Sequence, residues 1–194
     1  RLVGMTAAGL WGGGFLVGGL GVELQSLPLL YAGYGVLGGI GLGLGYVSPV
    51  SPLIRWFPDR RGMAAGLAIM GFGGGALIAA PMNEALIRHF YQPPTYLGTV
   101  EQVQPTTVDG KRMATVDGSE REVVVIGPSE IKNMIRPGPA GVYVVGTGRS
   151  GIARTFFALS GLYTAVMLIA AFAYRIPATD WQPVGFDAQA TAKK

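Results

Sequence analysis

The sequence predicts an all-α integral membrane fold: four transmembrane helices with a small β-containing insertion on the extracytoplasmic side. Two observations predict the helices and a third the insertion. Of 194 residues, 49% are hydrophobic and only 13% charged. The charges are missing altogether from Leu2–Val22, Leu24–Ile54, Gly62–Asn83 and Thr155–Tyr174. A hydrocarbon core of roughly 30 Å takes about 20 apolar residues at 1.5 Å of rise each, and each stretch satisfies that length. Helices of a soluble domain would carry polar faces, and these have none. The remaining segment, 91–154, differs in character: it holds most of the acids and short β-branched runs.

In chain order, residues 1–90 are expected to form three spans, at about 2–22, 28–54 and 62–87. The insertion comes next, over 91–154, then a fourth span over 155–175 and a cytoplasmic tail over 176–194. The first span does not read as a signal peptide, because its apolar run is long and no clear cleavage site comes after it. Orientation comes from Lys and Arg in the short connections. Arg1, the loop holding Arg55, Arg60 and Arg61, and the tail with Arg175, Lys193 and Lys194 fall on one side. The opposite short turn holds Glu23 and no base. The basic side is therefore expected to be cytoplasmic, which puts the insertion outside.

Within the insertion, Arg112–Val116 and Arg121–Ile126 flank Asp117-Gly118-Ser119-Glu120, a turn signal. Gly141–Val145 reads as another strand. Pro128-Ser129-Glu130 predicts a short helix running to Met134, ended by Pro137-Gly138-Pro139. A small β-rich cap is expected.

Composition excludes several functions. There is no Cys and a single imidazole, His89, so thiol redox, zinc ribbons and His-cluster metal sites have no residues to work with, and His89, beside Arg88 at a helix end, reads as interfacial decoration rather than part of a Ser-His-Asp triad. The formal charge of +4 is too weak to argue for nucleic acid. Gly146-Thr147-Gly148-Arg149-Ser150-Gly151 matches G-x-G-x-x-G after a strand-like run and before a helix. The acid expected about 20 residues on would fall within the uncharged fourth span, so nucleotide binding is rejected. No cofactor, metal or enzymatic activity is expected.

Glycine carries the message of the spans. With 32 Gly in 194 residues, its share is more than double the usual 7% or so. Gly35, Gly39 and Gly43 recur every fourth residue, as do Gly71 and Gly75, and Gly14 and Gly18. Such rows let a neighbouring backbone approach closely, so they are expected to be packing faces. Pro49, Pro52 and Pro81 add kink sites, and the combination favours a mobile bundle over a static one. Between spans two and three, Arg55-Trp56-Phe57-Pro58-Asp59-Arg60-Arg61-Gly62 is the densest polar motif. Arg55 and Trp56 read as interfacial anchors. Asp59, Arg60 and Arg61 read as a cytoplasmic gate whose charge-assisted contacts would form in one state and break in another.

The run from Tyr34 through Gly35, Gly39 and Gly43 to Tyr46, then Pro49, then Arg55 through Asp59-Arg60-Arg61-Gly62 to Ala76, closely resembles the oxalate/formate antiporter family of the major facilitator superfamily. Gly141–Gly148, Thr155-Phe156-Phe157 and the tail around Arg175, Pro177 and Trp181 are similar to it as well. The resemblance implies a twelve-helix carrier working by alternating access. This chain would then match helices three to six of the N-terminal half, a piece of the whole. Two departures stand out. Span two lacks the Arg that this superfamily often carries near Tyr34, which implies no proton relay through it. The Gly-Pro pair common in antiporters is replaced by Gly75-Ala76.

Anionic substrates need cations to offset desolvation, and none lies in these spans. The piece would offer wall instead. Tyr46 lies about 13 Å deep from Arg55, and Phe72 about 16 Å deep from Arg61, both near the midplane where carriers bind substrate. Tyr31 and Tyr34 sit shallower and read as an interfacial belt. The expected function is part of a secondary transporter moving small organic anions, mono- or dicarboxylates such as oxalate or formate, in the plasma (inner) membrane. Its partners would be the lipid bilayer, the remaining helices of the same carrier and the anion, with no nucleic acid or nucleotide. The alternative is a non-transporting, Gly-packed membrane scaffold whose outer domain binds a partner.

Overall fold

A computed structural model describes residues 1–173, 175–178, 181 and 183. The expected tail over 176–194, with Lys193 and Lys194, lies mostly outside the described residues. The chain divides into two compact units: Arg1–Met82 with Phe156–Lys194, and Asn83–Thr155.

The first unit is helical. α1 runs Leu2–Glu23. The chain reverses through Gln25 at φ +53, and the Ser26 N–H donates back to the Gly21 carbonyl at 2.8 Å. α2 comes next, over Leu27–Trp56, with Pro28 near its start, where a missing N–H costs nothing. Its segment Tyr31–Leu37 is π-helical, a widened turn that re-aims the residues after it. Pro49 and Pro52 sit inside its regular part, Gly38–Trp56. α3 runs Arg61–Phe90 with Pro81 inside, and α4 runs Ile152–Ala173. All four are long and apolar enough to cross a membrane. The fourth starts three residues ahead of the sequence expectation, at Ile152, just after the glycine turn ending at Gly151.

The core of this unit forms around α1. A Cβ on Gly14 would lie 2.6 Å from the backbone nitrogen of Gly38, and one on Gly33 would lie 2.6 Å from that of Gly18. Backbone therefore meets backbone, an approach that only glycine permits. Between the glycines, aromatic rings interlock. Phe15 sits edge-on to Tyr34 with centroids 5.3 Å apart and to Tyr163 at 5.4 Å, and Trp11 meets Phe15 at 5.0 Å. The edge-to-face arrangement suits the ring quadrupoles. On the α4 side, the buried Ser160 hydroxyl donates to the Gly12 carbonyl at 2.7 Å.

The glycine rows fall into two kinds among the described residues. Gly35, Gly39 and Gly43, expected to be the packing face of α2, have nothing within 4 Å of where a Cβ would stand. Gly71 and Gly75 on α3 are equally open. Among the described residues, α2 meets α1 at Gly33, Gly38 and Gly41. Gly14 and Gly18 do pack.

The second unit is built on a five-stranded antiparallel sheet in the order β1-β5-β4-β3-β2. Its strands are β1 (Tyr96–Gly98), β2 (Thr106–Val108), β3 (Lys111–Val116), β4 (Ser119–Ile126) and β5 (Gly141–Val144). Two-residue turns close two hairpins: Asp117-Gly118 at φ +49 and +76, and Asp109-Gly110 at φ +49 and +77. Positive φ at both positions is the turn whose twist matches the flanking strands, and Asp-Gly is its favoured sequence. The core is Ala114, Val123 and the fully buried Val142. The helix expected up to Met134 shrinks to a single 3₁₀ turn over Ile131–Asn133, because the Glu130 carboxylate accepts the Gly127 N–H at 2.9 Å and ties the segment into a local turn.

Candidate functional site: the loop between α2 and α3 and the aromatic pair above it

α2 ends where Phe57 leaves helical geometry, next to Pro58, a residue that disfavours helix before it. Asp59 and Arg60 then form the turn into α3. Arg60 Nε stands 3.4 Å from Asp59 Oδ2, with both side chains substantially exposed. A pair this wet contributes little to stability, so its effect lies in where it holds the loop. Arg61 opens α3 and is exposed. Cations crowd a helix N-terminus whose dipole disfavours them, and the Asp59 carboxylate offsets that.

Trp56 fixes the loop on its other side. Its indole Nε1–H donates to the Arg175 carbonyl at 2.9 Å, and its ring meets Trp181 edge-on at 4.8 Å. Asp59, Arg60 and Met63 line a shallow cavity of about 390 Å³ with these two tryptophans. The tail after α4 is thereby tied to the α2–α3 loop, a link that spacing and charge alone do not predict. A tryptophan shortly after each of two hydrophobic stretches that end on the same side is the signal in the sequence that points to it.

Deeper in the helices, the structure brings Tyr46 of α2 and Phe72 of α3 together. Their rings pack edge-to-face with centroids 5.1 Å apart, and each keeps a large exposed face. The Tyr46 hydroxyl is a donor on an otherwise apolar wall. Asp59 and Arg60 are thus paired with each other, and Tyr46 with Phe72. The open row of Gly35, Gly39 and Gly43 lies apart from the α1 seam. Tyr34, expected in an interfacial belt, belongs instead to the aromatic cluster, beside Phe15 and 5.6 Å from Phe156. The i,i+4 spacing of Trp11 and Phe15 is the sequence signal for that cluster.

The G-x-G-x-x-G run in the second unit is accounted for by backbone packing. Gly146 and Gly151 adopt φ +81 and +78. A Cβ on Gly148 would stand 2.7 Å from the Pro94 nitrogen, and one on Gly151 2.6 Å from the Ile87 carbonyl oxygen. Thr147 Oγ1 accepts the Thr95 N–H at 2.9 Å and donates to the Val144 carbonyl at 2.8 Å. The chain's own residues 87–95 fill the space in front of the loop.

Among known proteins, the chain is 39% identical over 71 residues to apicoplast pyruvate carrier 1 of Toxoplasma gondii, a match covering 37% of this chain and 13% of that protein. It is 38% identical over 65 residues to the oxalate:formate antiporter of Oxalobacter formigenes, covering 34% of this chain and 15% of the antiporter. Monocarboxylate transporter 12-B of Danio rerio is 38% identical over 82 residues, covering 40% of this chain and 17% of the transporter. The matches thus span well under a fifth of the length of these curated relatives. No family model matches the chain, and no solved structure matches it significantly. The resemblance read from the residues meets relatives of that kind: the similar proteins are transporters, not enzymes, and their names carry small carboxylates. With its four apolar helices, the chain is a multi-pass membrane protein.

Proposed function

We propose that this chain is part of a secondary carrier of the major facilitator superfamily that moves small organic anions, mono- or dicarboxylates, across the plasma (inner) membrane by alternating access. The observation that carries the reading is the similarity to a pyruvate carrier, an oxalate:formate antiporter and a monocarboxylate transporter, over 37%, 34% and 40% of this chain. In this reading the Arg-rich loop and the tail face the cytoplasm and the sheet unit faces outside. Tyr46 and Phe72 line the substrate pathway, with the Tyr46 hydroxyl donating to a carboxylate. Asp59, Arg60 and Arg61 act at the cytoplasmic gate, where an exposed ion pair is weak enough to break on each cycle. The open glycine faces of α2 and α3 receive further helices of the same carrier, which also supply the cations that a carboxylate needs.

Uptake of labelled oxalate, formate and pyruvate into liposomes holding the full-length parent protein tests this. Uptake accelerated by internal carboxylate is expected. No carboxylate uptake, together with uptake of a sugar or a cation, removes the substrate assignment. No uptake of any solute leaves the scaffold reading in its place. In the same assay Tyr46→Phe is expected to raise the KM by roughly fivefold to tenfold, the loss of one hydrogen bond of about 1 kcal/mol. An unchanged KM rejects the role of the hydroxyl.

A further inference from the structure

Where α1 begins, α2 nears its end and α4 has just finished, the helices leave an open cavity of about 710 Å³. That lies in the size range of small-molecule sites, about 300–1,000 Å³. Its polar lining is Arg1 and Arg175, from two different helix ends, with the hydroxyl-bearing Ser48 and Ser51 of α2 between them. Its apolar lining includes Val3, Val47 and Ile176, each at least half exposed. No acid lines it among the described residues. Two guanidinium groups in a cavity with no acid among its described lining call for an anion, and Arg offers the planar fork that matches phosphate. A small free anion would use the arginines and serines but leave the exposed apolar wall in water. An amphipathic anion uses both.

Depth supports this. Ser51 and Ser48 stand five and eight residues before Trp56, so about 8 and 12 Å up α2 from the interfacial tryptophan. The arginines at the helix ends therefore mark the headgroup level, and the serines and Val47 carry the cavity deep into the acyl region. Basic pockets between transmembrane helices are suited to anionic lipid headgroups. We propose that this cavity is a binding site for one anionic phospholipid, its phosphate held by Arg1 and Arg175 and its chain lying past Ser51 and Ser48 along Val3, Val47 and Ile176. The site rests on the bilayer placement of the helices and not on the identity of the substrate. Carboxylate uptake and lipid retention can therefore fail independently.

Native mass spectrometry of the full chain, released from nanodiscs of equimolar phosphatidylglycerol and phosphatidylcholine, tests the proposal. One retained phosphatidylglycerol per chain is expected, in clear preference to phosphatidylcholine. Each basic residue near an anionic surface is worth roughly a fivefold factor, so R1Q/R175Q is expected to weaken that preference about 25-fold. R1K/R175K is expected to keep most of it. Ser48→Leu/Ser51→Leu, which fills the cavity but leaves both arginines, is expected to lose retention too, and stands as the test if the arginine pair proves necessary for folding. Equal retention of the two lipids overturns the proposal, as does an unaltered preference in both R1Q/R175Q and the leucine variant. Displacement of the lipid by oxalate or by glycerol phosphate as readily as by phosphatidylglycerol also overturns it, because the cavity would then serve a free anion.

Discussion

α1 and α3 are composed alike and used oppositely. Both are glycine-rich and uncharged through their middles, yet 44% of the apolar window of α1 is buried against 6% for α3. On α1, Gly14 and Gly18 sit where backbone touches backbone, and Phe15 is the hub of an aromatic cluster. On α3, only Ala64 is buried among the described residues, and Gly66, Gly71, Gly73, Gly74 and Gly75 face open space. Glycine content therefore marks where a close approach is possible, not where this chain makes one. The apolar face of α3 must meet lipid or other helices. In the proposed carrier it meets both.

The largest expected effect separates the two helices through their rings. Phe15→Ala should destabilise the chain in detergent by about 3 kcal/mol, since it empties a packed site. Phe72→Ala should cost under about 1 kcal/mol, since half of that ring is exposed. Denaturation by SDS, monitored by circular dichroism, measures both, and equal losses would erase the contrast. Next come the glycines. Gly33→Ala places a methyl group 2.6 Å from the Gly18 nitrogen and should cost about 2–3 kcal/mol. Gly73→Ala meets nothing and should be neutral or stabilising by up to about 1 kcal/mol, from helix propensity. A destabilised Gly73→Ala would show that α3 already packs closely on a partner.

A smaller effect sharpens the α1 side. Ser160→Ala removes the hydroxyl that reaches the Gly12 carbonyl, and interhelical hydrogen bonds in membranes are worth about 0.6 kcal/mol on average. Loss of several kcal/mol in the same denaturation would mean that this bond, rather than glycine packing, holds α4 to α1. The smallest effect belongs to the sheet unit and serves as a control outside the helices. The Glu101 carboxyl lies below its ordinary value of 4.5, chiefly through its own backbone N–H and then the Thr99 hydroxyl, against a weaker opposing desolvation. A lowered carboxyl stabilises the fold above its ordinary pKa, and that stabilisation is lost as pH falls through the lowered value. Glu101→Gln should therefore slightly lower amide protection in Thr99–Val103 at neutral pH and flatten the further loss of protection as pH falls below 4.5. Helix stability should not respond, and a response there would couple the two units.

The hairpins show how uneven legibility is within one segment. Asp117-Gly118 is readable because Arg112–Val116 and Arg121–Ile126 are long enough to announce strands on both sides. Asp109-Gly110 carries the same turn chemistry, but β2 has only three exposed residues and no alternation to reveal it. Among the candidate site residues, the pairing of Asp59 with Arg60 comes from adjacency. The contact of Tyr46 with Phe72 does not, because their depths fix height along the two helices and leave rotation free.

What the sequence by itself determined is the solvent of each segment. Uncharged stretches of about 20 residues have a low free energy only in hydrocarbon, with hydrogen bonds closed inside each helix, and that holds whatever the neighbours are. What only the tertiary structure decided is which face of each helix meets a neighbour. In hydrocarbon the hydrophobic effect no longer separates inside from outside, so the seam is chosen by shape. On α2 that shape puts Gly33, Gly38 and Gly41 against α1, while Gly35, Gly39 and Gly43 meet nothing among the described residues.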